Sequence, residues 1–256
     1  MSRQGLDGRR VLVVGAGTQP SGDPDAPVGN GRAISVLAAE EGATLICADR
    51  DESAARETAA LIARDGGSAT VVLGDITEEA SCAEMISAAG ADGLDGLVLN
   101  VGSGRGRDLA GTSAEDWDLT FAINLRGHFL CAREALPRMS EGSSVVFIGS
   151  TAGLRPGSRI PAYDASKAGL VGLCRHTALE GAKRGVRANL VAPGLIDTPL
   201  GRLASAGRPS RDRTPIPLGR QGTAWEVAST VVFLLSEAAA YVTGVVLPVD
   251  GGLGLI

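Results

Sequence analysis

Lysine is almost absent from this chain of 256 residues. Of its 24 basic residues only Lys167 and Lys183 are lysines, so a lysine at an informative spacing carries weight that an arginine does not. Histidine is as scarce, with His128 and His176 set 48 positions apart. The four cysteines (Cys47, Cys82, Cys131, Cys174) are scattered with no C-x-x-C pair, which argues against a disulfide scaffold and against a metal site. No apolar run approaches the roughly 20 residues that span a bilayer, and the opening MSRQGLDGRR lacks an apolar signal core. A cytoplasmic protein without a membrane partner is therefore expected. A net charge of −5 with no basic tract makes nucleic acid a poor partner. What the chain does have is 44% hydrophobic residues, 21% charged residues and 36 glycines, an ordinary globular composition rich in tight turns or close backbone approaches.

Short β-branched runs alternate with Ala-rich segments from end to end. The runs are Arg10–Val14, Thr44–Ala48, Ala69–Leu73, Gly96–Asn100, Ser144–Gly149, Val186–Val191 and Gly244–Val249. Each is apolar almost throughout, as strands buried on both faces of a parallel sheet are. Helical patterns fall near 31–41, 52–65, 78–89, 114–138, 161–184 and 223–237. This alternation predicts one α/β domain over residues 1–256, a doubly wound Rossmann-type sheet of about seven parallel strands with helices on both faces. Residues 18–28 (TQPSGDPDAPV) and about 199–222 fit no element; structureless stretches of that length are usually functional.

The first strand runs into Gly15-Ala16-Gly17, and a helix opens after Gly29-Asn30-Gly31. Glycines let the backbone approach a pyrophosphate, whose charge the N–H groups and dipole of a helix start favour. Asp49 ends the second strand, 34 residues past Gly15, where a carboxylate can grip the adenosine ribose hydroxyls and repel a 2′-phosphate. That favours NAD over NADP, although Arg50 beside it can pair with such a phosphate. A turn residue without ligand is the plain alternative for Asp49.

Tyr163 and Lys167 lie four apart, on one face of a predicted helix. With two tyrosines and two lysines in the chain, a chance Y-x-x-x-K has an expectation of roughly 2% or less. A neighbouring ammonium stabilises a phenolate, which makes tyrosine a usable acid/base near neutrality. Ser150 ends a strand thirteen residues upstream, where a hydroxyl can hold the oxygen of a carbonyl or alcohol.

These motifs in this order resemble the short-chain dehydrogenase/reductase family, in its single-domain branch of about 250 residues, over residues 9–252. The resemblance implies a catalytic set of Asn124, Ser150, Tyr163 and Lys167, with Asn124 holding a water for proton relay to the lysine. It assigns Asp75-Ile76 to adenine, Asn100-Val101-Gly102 to the strand end beside the cofactor, and Pro193, Gly194, Ile196 and Thr198 to the nicotinamide carboxamide. It makes 199–222 a substrate lid and implies hydride transfer between NAD(H) and a secondary alcohol or ketone. Long helices at about 114–138 and 161–184 would pair between subunits, giving a homotetramer with the apolar tail Val245–Ile256 buried between copies.

Three departures from the family pattern stand out. Val14 replaces a threonine before Gly15, Val101 replaces an alanine, and ten extra residues separate Gly15 from the second glycine, Gly29. The inserted loop is expected to form a flap over the adenine–ribose half of the cofactor. Asp23 and Asp25 would turn outward toward solvent or an arginine, while Thr18 and Asn30 supply polar contacts near the phosphates. Arg155, Arg159, Arg202, Arg208, Arg211, Arg213 and Arg220 lie where the family builds its pocket and lid. In so arginine-rich a chain a solvated loop accounts for them better than contact with an acidic or CoA-type substrate does. His128 and His176 are expected to serve solvent or packing roles. A catalytically silent nucleotide-binding regulator or scaffold on the same fold is the alternative function, and a sugar-nucleotide epimerase a third; only about 60 residues follow Pro193-Gly194, too few for the latter's usual substrate domain.

Overall fold

A computed structural model describes residues 5–21, 23, 25–90, 93–205 and 214–255. Six apolar runs form the strands β1 (Arg10–Val14), β2 (Thr44–Asp49), β3 (Ser68–Leu73), β4 (Leu94–Leu99), β5 (Met139–Ile148) and β6 (Arg187–Pro193). The short strands β7 (Ile196–Asp197) and β8 (Gly222–Thr223) follow, then β9 (Val246–Val249). The main sheet has seven parallel strands in the order β3-β2-β1-β4-β5-β6-β9.

The two-residue alternation of each strand divides its side chains between two cores. Leu12, Val14, Leu97, Leu99 and Phe147 pack with helices α3 (Glu79–Ala89), α5 (Gly127–Ala135) and α6 (Pro161–Ala182). Val11, Val13, Val98 and Val146 face the opposite layer, made by α1 (Asn30–Glu40), α2 (Glu52–Arg64) and the last long helix, α8 (Ala224–Leu235). Both faces of the central strands are thus sealed, which is why they read as unbroken apolar runs rather than alternating ones. Among the described residues no helix is long and apolar enough to cross a membrane.

Strand order reverses at β1, which pairs with β2 on one side and β4 on the other. Loops leaving the C-terminal ends of β1 and β4 therefore depart to opposite faces and open a crevice between them, the usual ligand position in such sheets.

Two segments differ from the sequence expectation. The predicted helix 114–138 is broken into α4 (Ala114–Phe121), a π turn at Ala122–Arg126, α5, and a 3₁₀ turn at Leu136–Arg138. A π turn adds one residue to the helical repeat, and this one carries Asn124 into the interior; apolar periodicity does not register so local a change. β5 also starts earlier than expected, at Met139, because Met139 pairs with Leu94 before a register shift restores the ladder at Gly96–Ser144.

β7 and β8 pair in parallel as a separate two-stranded sheet, and the stretch 199–222, expected to hold no element, contains a short helix. Between them lies α7 (Pro199–Ser205), and residues 206–213, including Arg208, Arg211 and Arg213, lie outside the described residues.

Candidate functional site

The turn after β1 is held at each glycine. Gly15 has φ +83°, a left-handed conformation, and a Cβ there would come within 2.9 Å of Val101 Cγ2. At Gly31 a Cβ would collide with the Gly15 carbonyl oxygen at 1.8 Å, so helix α1 begins in direct contact with the turn only because the residue is glycine. Asp49 Oδ2 accepts a hydrogen bond from the Gly17 N–H at 2.9 Å, and Oδ1 accepts from Asp51 N–H at 3.1 Å. Asp49 thus stands at the end of β2 and also braces the glycine turn.

Helix α1 follows the N-cap Gly29, which offers no side chain to cap its first N–H groups. Thr18 Oγ1 accepts from Gly29 N–H at 3.0 Å, closing the base of the inserted loop. Asn30 Oδ1 is buried with no hydrogen-bond partner among the described residues. Uncapped amides beside a glycine cradle fit the pyrophosphate of a dinucleotide.

The inserted loop makes a long-range ion pair. Arg202 on α7 donates to Asp197 through Nε (2.8 Å) and Nη2 (3.0 Å), and through Nη1 to Asp23 (3.0 Å). The loop is therefore tied through Asp23 to α7, the segment after β7. Asp23 is turned toward an arginine, one of the two orientations expected of it. The guanidinium of Arg202 holds the Asp197 carboxyl below its ordinary range.

Past β4 the chain is pinned residue by residue. Asn100 Nδ2 donates to the Gly15 carbonyl (2.8 Å), and the Val101 carbonyl meets His128 Nε2 (2.9 Å). A Cβ at Gly102 would lie 3.3 Å from Lys167 Nζ. Ser103 donates its N–H to Asn124 Oδ1 (2.8 Å) and accepts from Asn124 Nδ2 (2.7 Å). Asn124 Nδ2 also donates to Ser166 Oγ (3.0 Å), which in turn donates to the Tyr163 carbonyl (2.9 Å). The side chain of Asn124 is wholly buried and fully used as a bracket between the β4 exit and helix α6.

Tyr163 and Lys167 share one face of α6, with Lys167 Nζ 5.8 Å from the tyrosine ring centroid. Lys167 is buried, donates to the Ile148 carbonyl (2.9 Å), and burial pulls its pKa down to about 7. Ser150 follows β5, and the turn Thr151–Gly153 lies so close to α6 that a Cβ at Gly153 would sit 2.5 Å from the Lys167 carbonyl carbon. Ser150 Oγ accepts from Ala152 N–H (3.1 Å), which leaves its O–H to donate elsewhere.

The other expected residues spread along the same crevice. Arg50 and Asp75 line an open cleft beside β2 and β3 with Asp51, Glu52 and Arg56. Thr77, through its N–H and hydroxyl, holds the Asp75 carboxyl below its ordinary range, with a smaller contribution from Arg50. Ile76 is buried under Gly127. Thr151 Oγ1 donates to the Pro193 carbonyl (3.4 Å), Gly194 lies against Asp250, Ile196 is buried, and Thr198 Oγ1 accepts from Gly201 N–H (3.0 Å) at the start of α7. Arg155 donates to the Leu253 carbonyl, Arg159 pairs with Asp108, and Arg220 pairs with Glu226. His176 is exposed beside Glu180, whereas His128 is wholly buried and removed from solvent.

Sequence reasoning missed Ser103, Ser166 and the bond made by His128. Ser166 lies inside the Y-x-x-x-K motif, at a position the motif leaves open. Ser103 is an ordinary loop serine until the π turn is known.

A family described as Enoyl-(Acyl carrier protein) reductase matches residues 27–254. The 2-(S)-hydroxypropyl-CoM dehydrogenase 3 of Xanthobacter autotrophicus is 36% identical over 89% of this chain and 93% of its own length. Human (3R)-3-hydroxyacyl-CoA dehydrogenase is 34% identical over 95% of this chain and 94% of its own. Among solved structures, a candidate 2-deoxy-D-gluconate 3-dehydrogenase from Agrobacterium tumefaciens with bound NADP superposes with a TM-score of 0.88 at 35% identity, covering all of both chains.

The lowered Lys167 pKa gives a signed prediction. Between about pH 7 and its ordinary 10.5 the unfolded chain binds a proton at this lysine that the native chain does not, so stability rises with pH across that window. In cofactor-free protein, Lys167→Met should melt well above the parent at pH 6.5, and the gap should narrow by pH 9.5. A gap independent of pH contradicts the burial of an ionisable Lys167.

Proposed function

The chain belongs to the short-chain dehydrogenase/reductase family, and we propose that it interconverts a secondary alcohol and its ketone with a nicotinamide cofactor, NAD(H) in preference to NADP(H). The observation that carries this reading is the meeting of Tyr163, Lys167 and the Ser150 turn at the C-terminal edge of the sheet, beside a glycine cradle and an uncapped helix start. A silent nucleotide-binding scaffold would need the cradle but not the three reactive side chains.

When bound, the cofactor accepts or supplies a hydride at its nicotinamide ring. Gly15, Gly17, Thr18, Gly29, Asn30 and Gly31 would hold the pyrophosphate, Asp49 and Arg50 the adenosine ribose, and Asp75 and Ile76 the adenine. Asn100, Val101, Gly102, Tyr163 and Lys167 would take the nicotinamide ribose, and Pro193, Gly194, Ile196 and Thr198 the carboxamide. The free O–H of Ser150 donates to the substrate oxygen and favours charge developing there. Tyr163 takes the alcohol proton during oxidation and returns it during reduction. Lys167, charged in part near neutrality, favours the phenolate.

Asp49 supports NAD, as does the charge of the adjoining cleft, where Asp51, Glu52 and Asp75 outnumber Arg50 and Arg56. A surplus of carboxylates opposes a 2′-phosphate. The NADP-bound relative and the two cleft arginines favour the second reading. The names of the two dehydrogenase relatives both describe secondary alcohols, in line with the substrate class proposed.

A cytoplasmic homotetramer is proposed as the working form. Tyr241, Leu179 and Leu255 are strongly exposed on the single chain, with Phe129, Trp225 and Phe233 partly so, apolar surface that pairing between copies would cover. Sedimentation should give about four times the 25.9 kDa chain mass; a value near one chain contradicts the assembly.

Tyr163→Phe should bind NAD nearly as the parent does and lose turnover by about two to four decades, measured by absorbance of the reduced cofactor over a panel of secondary alcohols. Near-parental activity would refute the role of Tyr163. Asp49→Ser should move the ratio of kcat/KM for NAD over NADP toward NADP by about tenfold or more, and an unchanged ratio would remove Asp49 from cofactor choice.

A further inference from the structure

His128 is an expensive residue for its surroundings. It is wholly buried on α5 beside the Phe147 ring, whose centroid lies 6.4 Å away. Its Nε2 faces the Val101 carbonyl at 2.9 Å. A carbonyl only accepts, so Nε2 carries the hydrogen and Nδ1 is left as a bare acceptor. That Nδ1 is buried and has no partner among the described residues. Burial, reinforced by the charge of Lys167, lowers the imidazole pKa to about 3, so the ring stays neutral at any working pH and is no acid or base. An apolar residue of similar shape would avoid the unpaired nitrogen. What it would not supply is the single hydrogen bond to Val101.

That bond falls on a sensitive peptide. Val101 N and Cγ2 lie 3.2 and 2.9 Å from where a Cβ of Gly15 would stand, and the corresponding point on Gly102 is 3.3 Å from Lys167 Nζ. A rotation of the Val101–Gly102 peptide would therefore press on the phosphate turn at one end and shift the neighbour of the catalytic lysine at the other. Valine, larger than the alanine of the family pattern, leaves less room for such a rotation. Asn100 and Ser103 are tied by Gly15 and Asn124, so the Val101 carbonyl is the point between them that needs a separate tether.

We propose that His128 is a positioning residue for hydride transfer, its Nε2–H fixing the Val101–Gly102 peptide between the phosphate turn and Lys167. The proposal rests on the dehydrogenase reading for its kinetic consequence, but not for its effect on cofactor binding.

The test compares His128→Phe, which keeps a ring and loses the donor, with His128→Gln, which keeps a donor. Thermal melting, the NAD dissociation constant from fluorescence titration, and kcat and KM are measured for each. His128→Phe should melt at or above the parent temperature, yet lose about tenfold or more in kcat and bind NAD several-fold more weakly, with substrate KM within about twofold. His128→Gln should recover most of both losses. Parental kcat and NAD affinity in a folded His128→Phe overturn the proposal, as does a His128→Gln variant impaired as much as His128→Phe. If His128→Phe fails to fold, His128→Leu takes its place; failure of both makes the residue structural and overturns the proposal as well. Should the parent oxidise no secondary alcohol, the dehydrogenase reading fails on its own, and NAD affinity alone decides the role of His128.

Discussion

The four residues that leave β4 are the point on which the site is hung. Asn100 is bonded to the first glycine of the turn after β1, Val101 to a buried histidine, Gly102 abuts the buried Lys167, and Ser103 is bracketed twice by Asn124. Each tether comes from a different element: the β1 turn, α5, α6 and the π turn. A loop normally buys little rigidity from its own sequence, but this one is fixed by its neighbours. The spacing between the glycine turn after β1 and Lys167 is set there.

The same economy appears on α6. One turn of helix supplies Tyr163, Ser166 and Lys167, and Ser166 connects the Tyr163 carbonyl to Asn124. Gly153 lets the Ser150 turn lie directly against Lys167. A buried lysine costs stability, and its Nζ is satisfied by the Ile148 carbonyl at the end of β5. Stability is thus given up at a position close to Tyr163.

Much of this was legible in the sequence. The strands read correctly because both faces of a parallel sheet are apolar, and Y-x-x-x-K is conspicuous in a chain with two lysines. The π turn was not legible, since it changes the helical repeat by one residue and leaves the apolar pattern intact. Ser103 and His128 were hidden for the same reason: their partners are main-chain groups or residues brought near by that turn. Asp49 was read as a ribose ligand, and its second duty as a brace for Gly17 appears only when β2 is placed beside β1. The sequence predicts that the acids of the inserted loop turn toward solvent or an arginine, and Asp23 does meet one; that the arginine is Arg202, a long-range partner, no local rule identifies.

Fate of the carbinol hydrogen is the most direct measurement of the central claim. Secondary alcohols carrying deuterium on the carbinol carbon are incubated with the protein and NAD, and the reduced cofactor is examined by NMR. The account predicts one deuterium at nicotinamide C4, on a single face, for each ketone formed. Deuterium lost to water, or ketone formed without reduced cofactor, would contradict it.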